Sequence, residues 1–145
     1  MKQLEAERYL DRIKKIDAII ENKLSEYDRW VGVADGIGGA SIGERVQSSR
    51  NLHSGADAIG RYIDIEREID ALRSERQRIL ETIEQLPSTE YDLIYKLYAQ
   101  SYSMKELAYH FGKSYEWVKF KKRHALMLIQ AMLDSTTSPT STESG

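Results

Sequence analysis

The sequence predicts an all-α protein: two long N-terminal helices, paired as a hairpin or coiled coil, followed by a C-terminal three-helix group. Apolar residues recur at steps of three and four through most of the chain, which is the spacing of one face of a helix. Only two prolines occur among the 145 residues, and most of the nine glycines lie within residues 31–55. Because proline and glycine disfavour helix interiors, long helices are expected on both sides of that segment.

The first 87 residues are predicted to hold two helices with a loop between them. Residues 1–30 carry an apolar stripe formed by Leu10, Ile13, Ile16, Ile20, Leu24 and Tyr27. Residues 31–55 are rich in glycine and serine and are predicted to form a loop. Residues 56–87 repeat apolar positions in the heptad pattern of a coiled coil, interrupted by Arg76. The two helices pair either within one chain, as an antiparallel hairpin, or between chains.

The next segment, residues 88–133, is predicted to contain three shorter helices. Pro87 ends the preceding helix, and Ser88 or Thr89 is expected to cap the first helix of the segment. The three helices are expected at about residues 90–100, 104–111 and 115–133. Residues 134–145 read DSTTSPTSTESG, a polar composition that predicts a disordered tail.

The last two of these helices carry the spacing of a helix-turn-helix. Such a motif has a small residue where its helices cross, a turn residue that tolerates positive φ, and a branched apolar residue in the second helix. Ala108, Gly112 and Val118 meet these three requirements at the expected intervals. Ser103 and Ser114 stand where they can cap the two helices, and Gly112 can end the first one. An ordinary helical hairpin is the alternative interpretation.

Positive charge is concentrated in the same segment. The whole chain has a formal net charge of −2, whereas residues 88–133 contain more Lys and Arg than Asp and Glu. A projection of the last helix at about 100° per residue places Val118, Lys122, Ala125, Ile129 and Met132 on one face. Lys122 is expected to extend its amine past this inner face. Because residues 88–133 carry the excess of positive charge, this segment is predicted to bind the phosphate backbone of a nucleic acid.

The opposite face of the last helix supplies the candidate DNA-binding residues. Glu116, Lys119, Phe120 and Arg123, with Tyr115 at the helix start, are predicted to face base edges in the major groove. Lys113 and Lys121 are predicted phosphate contacts. The full predicted set is Lys113, Tyr115, Glu116, Lys119, Phe120, Lys121, Lys122 and Arg123. The alternative is that these side chains form a solvated helix face.

The stretch YDLIYKLYAQSYSMKELAYHFGKSYEWVKFKKRHALMLIQAML resembles region 4 of sigma-70-type factors. The layout of the chain is similar to that of small phage-encoded, sigma-like regulators of Gram-positive bacteria, the ArpU and RinA type of late-gene activator. Residues 44–49 (ERVQSS) also look like a motif of that group. The resemblance implies that positions 115–123 bind double-stranded DNA. It departs at Lys122, where sigma factors usually have an apolar residue, and no region 2 is recognisable.

Three functions are compatible with these features. The first is a sequence-specific transcription regulator, whose N-terminal helices self-associate or contact RNA polymerase. The second is a phage DNA-packaging adaptor similar to a small terminase subunit, in which the N-terminal helices assemble a ring. The third is a protein-interaction module whose basic helix meets an acidic partner.

Catalytic and metal chemistry are not expected. The chain has no cysteine, and His53, His110 and His124 have no partners at metal-ligand spacing. No nucleophile with a nearby base can be named, so an enzyme and a cofactor are not predicted. No apolar run reaches the roughly 20 residues that span a bilayer, and the N-terminus does not read as a secretory signal. The expected location is the cytoplasm of a bacterial host cell, with no membrane partner.

Overall fold

The computed structural model describes residues 4–35 and 55–137, and every regular element in these ranges is helical. The helices are α1 (Glu5–Asp35), α2 (Gly55–Ile83), α3 (Ser88–Ile94), α4 (Met104–Phe111) and α5 (Tyr115–Thr137). The predicted all-α fold class is therefore confirmed. Most of the predicted glycine-rich loop, with its ERVQSS motif, and the predicted tail from residue 138 onward lie outside the described residues.

Several helix ends differ from their predicted positions. α1 continues to Asp35, five residues beyond the predicted end, and α2 ends at Ile83, before the predicted end at residue 87. The predicted helix 90–100 divides into α3 and a π-helical turn at Tyr95–Ala99, which directly follows it. α5 continues through Thr137, into the segment predicted as tail. Local composition places such ends only to within a few residues, because packing decides where a helix frays.

The predicted serine or threonine cap of α3 is wrong. Pro87 occupies the N-cap position with φ −58° and ψ 154°, and no side chain caps the helix. Instead, the Pro87 carbonyl accepts a hydrogen bond from the Tyr91 N–H at 2.8 Å. Because the ring of proline fixes φ near the value that a helix needs, the chain enters α3 immediately after it. Ser88 is consequently the first helical residue and not the cap.

The chain divides into two compact units. The terminal unit comprises residues 1–15 and 76–145, and the central unit comprises residues 16–75. Both long helices contribute to each unit, because the division crosses α1 after Lys15 and α2 after Glu75.

The core of the terminal unit is built from all five helices. α3 and α4 both pack on α5. The buried apolar side chains are Ala6, Leu10, Ile13, Ile79, Ile83, Leu86, Leu93, Ile94, Leu97, Tyr98, Leu107, Val118, Ala125, Leu126 and Ile129. The Ala6 N–H donates to Gln130 Oε1 at 2.9 Å, and the Tyr9 hydroxyl lies 2.8 Å from Thr82 Oγ1. The first turns of α1 thus belong to the same compact body as α5, which extends beyond the predicted segment 88–133.

In the central unit, α1 and α2 form an antiparallel pair within one chain. Lys23 Nζ lies 2.8 Å from Glu68 Oε1, and the Tyr27 hydroxyl donates to Glu66 Oε2 at 2.9 Å. The rings of Tyr27 and Tyr62 meet edge to face, with their centroids 5.4 Å apart. Residues further along α1 contact residues nearer the start of α2, so the two helices run antiparallel. Of the two pairings compatible with the sequence, the structure therefore has the one within a chain.

Candidate nucleic-acid interface

α4 begins with a complete capping box. The Ser103 hydroxyl accepts from the Glu106 N–H at 3.0 Å, and the Ser103 N–H donates to Glu106 Oε1 at 2.7 Å. These two bonds satisfy N–H groups that the first turn of a helix otherwise leaves without partners. The predicted cap at Ser103 is confirmed, and α4 starts and ends at the residues that the sequence indicated.

The turn after α4 depends on a glycine. Gly112 has φ 66° and ψ 35°, a left-handed conformation that residues with a side chain adopt only at a cost. The next residue, Lys113, donates its N–H to the Ala108 carbonyl at 3.0 Å and so closes the end of α4. The Ser114 hydroxyl then accepts from the Trp117 N–H at 3.0 Å and caps α5. Gly112 and Ser114 therefore have their predicted conformational roles.

The inner side of α5 is anchored in the core of the terminal unit. Val118, Ala125 and Ile129 are fully buried, as the helical projection predicted, and Leu126 is buried beside them. α4, whose Leu107 is fully buried, also packs on this helix, so the first turns of α5 are held in place. The side of α5 that faces away from this packing is the candidate interface.

Six of the eight predicted interface residues are exposed, namely Lys113, Tyr115, Glu116, Lys119, Phe120 and Arg123. Phe120 is 64% exposed, so its ring is free to contact another molecule. Lys119 Nζ lies 3.8 Å from a carboxylate oxygen of Glu116 and 5.8 Å from the centre of the Tyr115 ring. Exposed contacts of this kind stabilise the helix little, so these side chains can exchange them for another partner.

Lys121 is half-buried and faces inward, toward Glu90 of α3. Its Nζ lies 3.4 Å from Glu90 Oε2, and His124 Nδ1 lies 2.8 Å from the same oxygen. Burial raises the pKa of the Glu90 carboxyl. The hydrogen bond with His124, the backbone and Lys121 lower it by more, which leaves this pKa below its usual value. Lys121 and His124 therefore tie α5 to α3 through a buried negative charge.

Lys122, also half-buried, is paired with the first turn of α1. Its Nζ lies 3.8 Å from Glu7 Oε2. This acid explains how a lysine is accommodated near the inner side of α5, where the chain departs from the sigma-factor pattern. The same place holds a cleft of about 490 Å³ lined by Leu4, Glu7, Met104, Tyr115, Lys119, Lys122, Arg123 and Leu126. A negative side chain of α1 thus lies beside the basic residues of the candidate interface.

Trp117 forms a flat surface between two lysines. Lys113 Nζ and Lys121 Nζ lie 5.5 Å and 5.8 Å from the centre of its ring. These cation–π contacts orient both ammonium groups at the start of α5. Nearby in the fold, α4 carries Tyr109, which is almost fully exposed.

Sequence reasoning did not identify Glu7, Glu90, Tyr109 or Trp117. The position of Glu90 indicates only a favourable interaction with the helix dipole, and nothing in its spacing indicates burial. Glu7 lies more than 100 residues from Lys122 along the chain, so only the fold brings the two together. The exposure of Tyr109 was recoverable, because it lies three residues before Gly112 on the side of α4 away from Leu107.

The part of the chain that the structure describes contains no cluster of three His, Asp or Glu side chains able to hold a metal ion. Among the helices described, none is both long enough and apolar enough to cross a membrane. Comparison with models of protein families, with curated proteins and with solved structures finds no match to this chain. The geometry and charge of α4 and α5 are therefore the features that point to a function.

Proposed function

We propose that the chain is a sequence-specific DNA-binding regulator of transcription, in which α4, the turn and α5 form a helix-turn-helix. The observation that carries this proposal is the two-sided character of α5. Its inner side is anchored by Val118 and by the Glu90 contacts, while its first turns present Glu116, Lys119, Phe120 and Arg123 to solvent. A recognition helix needs this combination of a fixed backbone and unburied polar side chains.

The exposed residues suit the chemistry of the major groove. An α-helix with its side chains is about 10–12 Å across, which fits the roughly 12 Å width of that groove. Lys119 and Arg123 are donors that match the acceptor edge of guanine. Glu116 can accept from cytosine, and Phe120 can contact the methyl group of thymine.

The lysines around this face are assigned by their surroundings. Lys113 is exposed at the start of α5 and is proposed to contact phosphate. Lys121 and Lys122 are each paired with a carboxylate, so their first role is to hold α5, and phosphate contact is secondary. Tyr109, exposed on α4, is added as a phosphate contact, because the first helix of such a motif crosses the DNA backbone.

The cellular setting is proposed from the sequence resemblance. A phage-encoded, sigma-like regulator would act in the cytoplasm of its bacterial host. Its contacts would be operator DNA, RNA polymerase and further copies of itself. Of these, operator binding has the most support, since it depends on side chains of α4 and α5 that are exposed and held on anchored helices.

Selection of binding sequences from a random DNA library by the full chain, followed by fluorescence anisotropy, tests the proposal. Lys119→Ala and Arg123→Ala are each expected to weaken binding to the selected site by about 1–3 kcal/mol and to relax specificity at one position. Arg67→Ala, an exposed charge on α2, is the matched control and should bind normally. Absence of any salt-dependent DNA affinity would reject the proposed function.

A further inference from the structure

The central unit presents apolar side chains to solvent on one side of its helix pair. Leu24 of α1 is 41% exposed, and Ile59 and Ile63 of α2 are 42% and 36% exposed. On α2, positions 59, 63, 66, 70 and 73 follow each other at steps of four and three, so they share one side of the helix. The outer face is defined here as Leu24, Ile59, Ile63, Glu66, Asp70 and Arg73.

A groove of about 360 Å³ runs along this outer face. It is lined by Leu24, Tyr27, Glu66, Ile69, Asp70 and Arg73. Ile69 is buried at its floor, and the charged residues stand at its rim. The groove thus combines an apolar floor with charges of both signs, as the contact face of a helical bundle does.

Two of the rim charges have no partner within the described part of the chain. Glu66 accepts a hydrogen bond from the Tyr27 hydroxyl, and Lys23 pairs with Glu68. Asp70 and Arg73, in contrast, make neither an ion pair nor a hydrogen bond there. They are an acid and a base three residues apart on one exposed side of α2.

We propose that the side of α2 that carries the outer face binds the same side of α2 in a second copy of this chain, with the two helices antiparallel. A two-fold axis that passes α2 between positions 71 and 72 brings Asp70 of each copy opposite Arg73 of the other. Both ion pairs form at once, and the pairing of two helical hairpins gives a four-helix bundle. Ile63 of each copy then lies opposite position 80 of the other, which is a leucine.

A second copy fits better than an unrelated protein because the face is complementary to itself. An isologous interface requires that one patch carry both members of each contacting pair. Asp70 and Arg73 satisfy that requirement with opposite charges on neighbouring turns. The inference concerns the pairing of α2 with α2, so it holds or fails independently of DNA binding by α5.

The test is sedimentation equilibrium of the full chain without DNA. A dimer is expected for the wild type. Asp70→Arg and Arg73→Asp should each weaken dimerisation at least about tenfold, because each places like charges opposite each other twice. An equimolar mixture of the two variants should restore dimers. In a dimer of unlike chains, two basic side chains of one variant face two acidic side chains of the other.

Matched controls separate the interface from general effects of charge. Asp64→Arg has the same charge change at an exposed position outside the outer face, and it should leave dimerisation unchanged. Ile63→Glu should abolish dimers, whereas Ala71→Glu on another exposed side of α2 should not. Circular dichroism at equal concentration verifies that each variant remains helical.

Three results would overturn the proposal: a chain that is monomeric at every concentration, a mixture of the charge variants that fails to restore dimers, or a ring of about eight or more copies. A monomer that binds a different protein through Ile63 counts against it in the same way. The affinity of one chain for a single DNA half-site depends on α5, so none of these outcomes would change it. Lys119→Ala tests that affinity separately.

Discussion

His124 Nδ1 lies 2.8 Å from Oε2 of Glu90, a carboxylate that is only 4% exposed. The contact joins α3 to the middle of α5, and Lys121 reaches the same oxygen at 3.4 Å. A buried carboxylate is tolerated only when its oxygens have such partners, because its desolvation is otherwise costly. The position of the candidate recognition helix is therefore linked to the charge of one side chain on a neighbouring helix.

We expect Glu90→Gln to destabilise the protein and to flatten its stability in acid. The pKa of Glu90 is lowered below the unfolded value of about 4.3, so the folded state holds its proton less tightly than the unfolded chain. The stabilisation of the folded state by ionised Glu90 is fully present above about pH 5 and is lost as the pH falls through the folded pKa. Loss of charged hydrogen bonds should cost about 1.5–3 kcal/mol at pH 7.

Urea denaturation between pH 3 and 7 measures both effects. Glu84→Gln, an exposed carboxylate on the turn after α2, is the control and should follow the wild type closely. If Glu90→Gln were as stable as the wild type at pH 7, the buried contact would not hold α5 as described.

We expect the folded protein to lose stability in alkali because Tyr98 is buried. Burial raises the pKa of this phenol well above its usual value, and the charges of Asp11 and Glu7 raise it further. The unfolded chain therefore ionises near pH 10 while the folded phenol stays neutral, and stability falls as the pH rises. Tyr98→Phe should remove up to about 1.4 kcal/mol per pH unit from that slope, measured by urea denaturation from pH 9 to 11.5. Tyr109→Phe, at an exposed position, should leave the slope unchanged.

Gly112→Ala and Gly60→Ala should change stability in opposite directions. Neither site crowds an added Cβ, since no atom lies within 4 Å of that position in either case. Gly112 has φ 66°, so alanine there costs roughly 1–2 kcal/mol of backbone strain. Gly60 lies inside α2, where alanine should gain about 0.5–1 kcal/mol. Chemical denaturation of both variants compares the two; equal effects would mean that the turn after α4 does not require glycine.

Local signals in the sequence predicted much of the terminal unit correctly. Ser103, Gly112 and Ser114 act through hydrogen bonds and dihedral angles within four residues, so their roles can be recognised without the fold. The buried side of α5 followed from helical spacing for the same reason. The predicted cap of α3 was wrong because Ser88 and Pro87 compete for the N-cap position, and the fixed φ of proline places Pro87 there.

Contacts distant in sequence could not be anticipated in this way. The apolar residues of the first helix repeat at uniform spacing, yet Leu10 and Ile13 are fully buried while Leu24 is 41% exposed. Periodicity identifies which residues share a face, but not how much surface another element supplies to cover it. The placement of Glu7 beside Lys122 has the same cause, since it arises from packing of α1 in the terminal unit.

Glu7→Gln should increase DNA affinity if α5 is the recognition helix. The Glu7 carboxylate lies 3.8 Å from Lys122 Nζ and lines the same cleft as Lys119 and Arg123, so it offsets positive charge that phosphate would otherwise meet. Glu7→Gln frees Lys122 from its ion pair and also removes a negative charge that would repel phosphate. Ion pairs near the surface contribute about 0.2–1 kcal/mol, so binding should tighten by roughly 1.4- to fivefold.

The salt dependence of binding distinguishes this mechanism from a change in stability. A released Lys122 that contacts one more phosphate should steepen the plot of log affinity against log salt by about 0.9. Anisotropy titrations of the selected site at several salt concentrations measure that slope for Glu7→Gln, with Glu21→Gln on the exposed surface of α1 as control. Tighter binding with an unchanged slope would mean that Glu7 acts by general repulsion and that Lys122 stays on the inner side of α5.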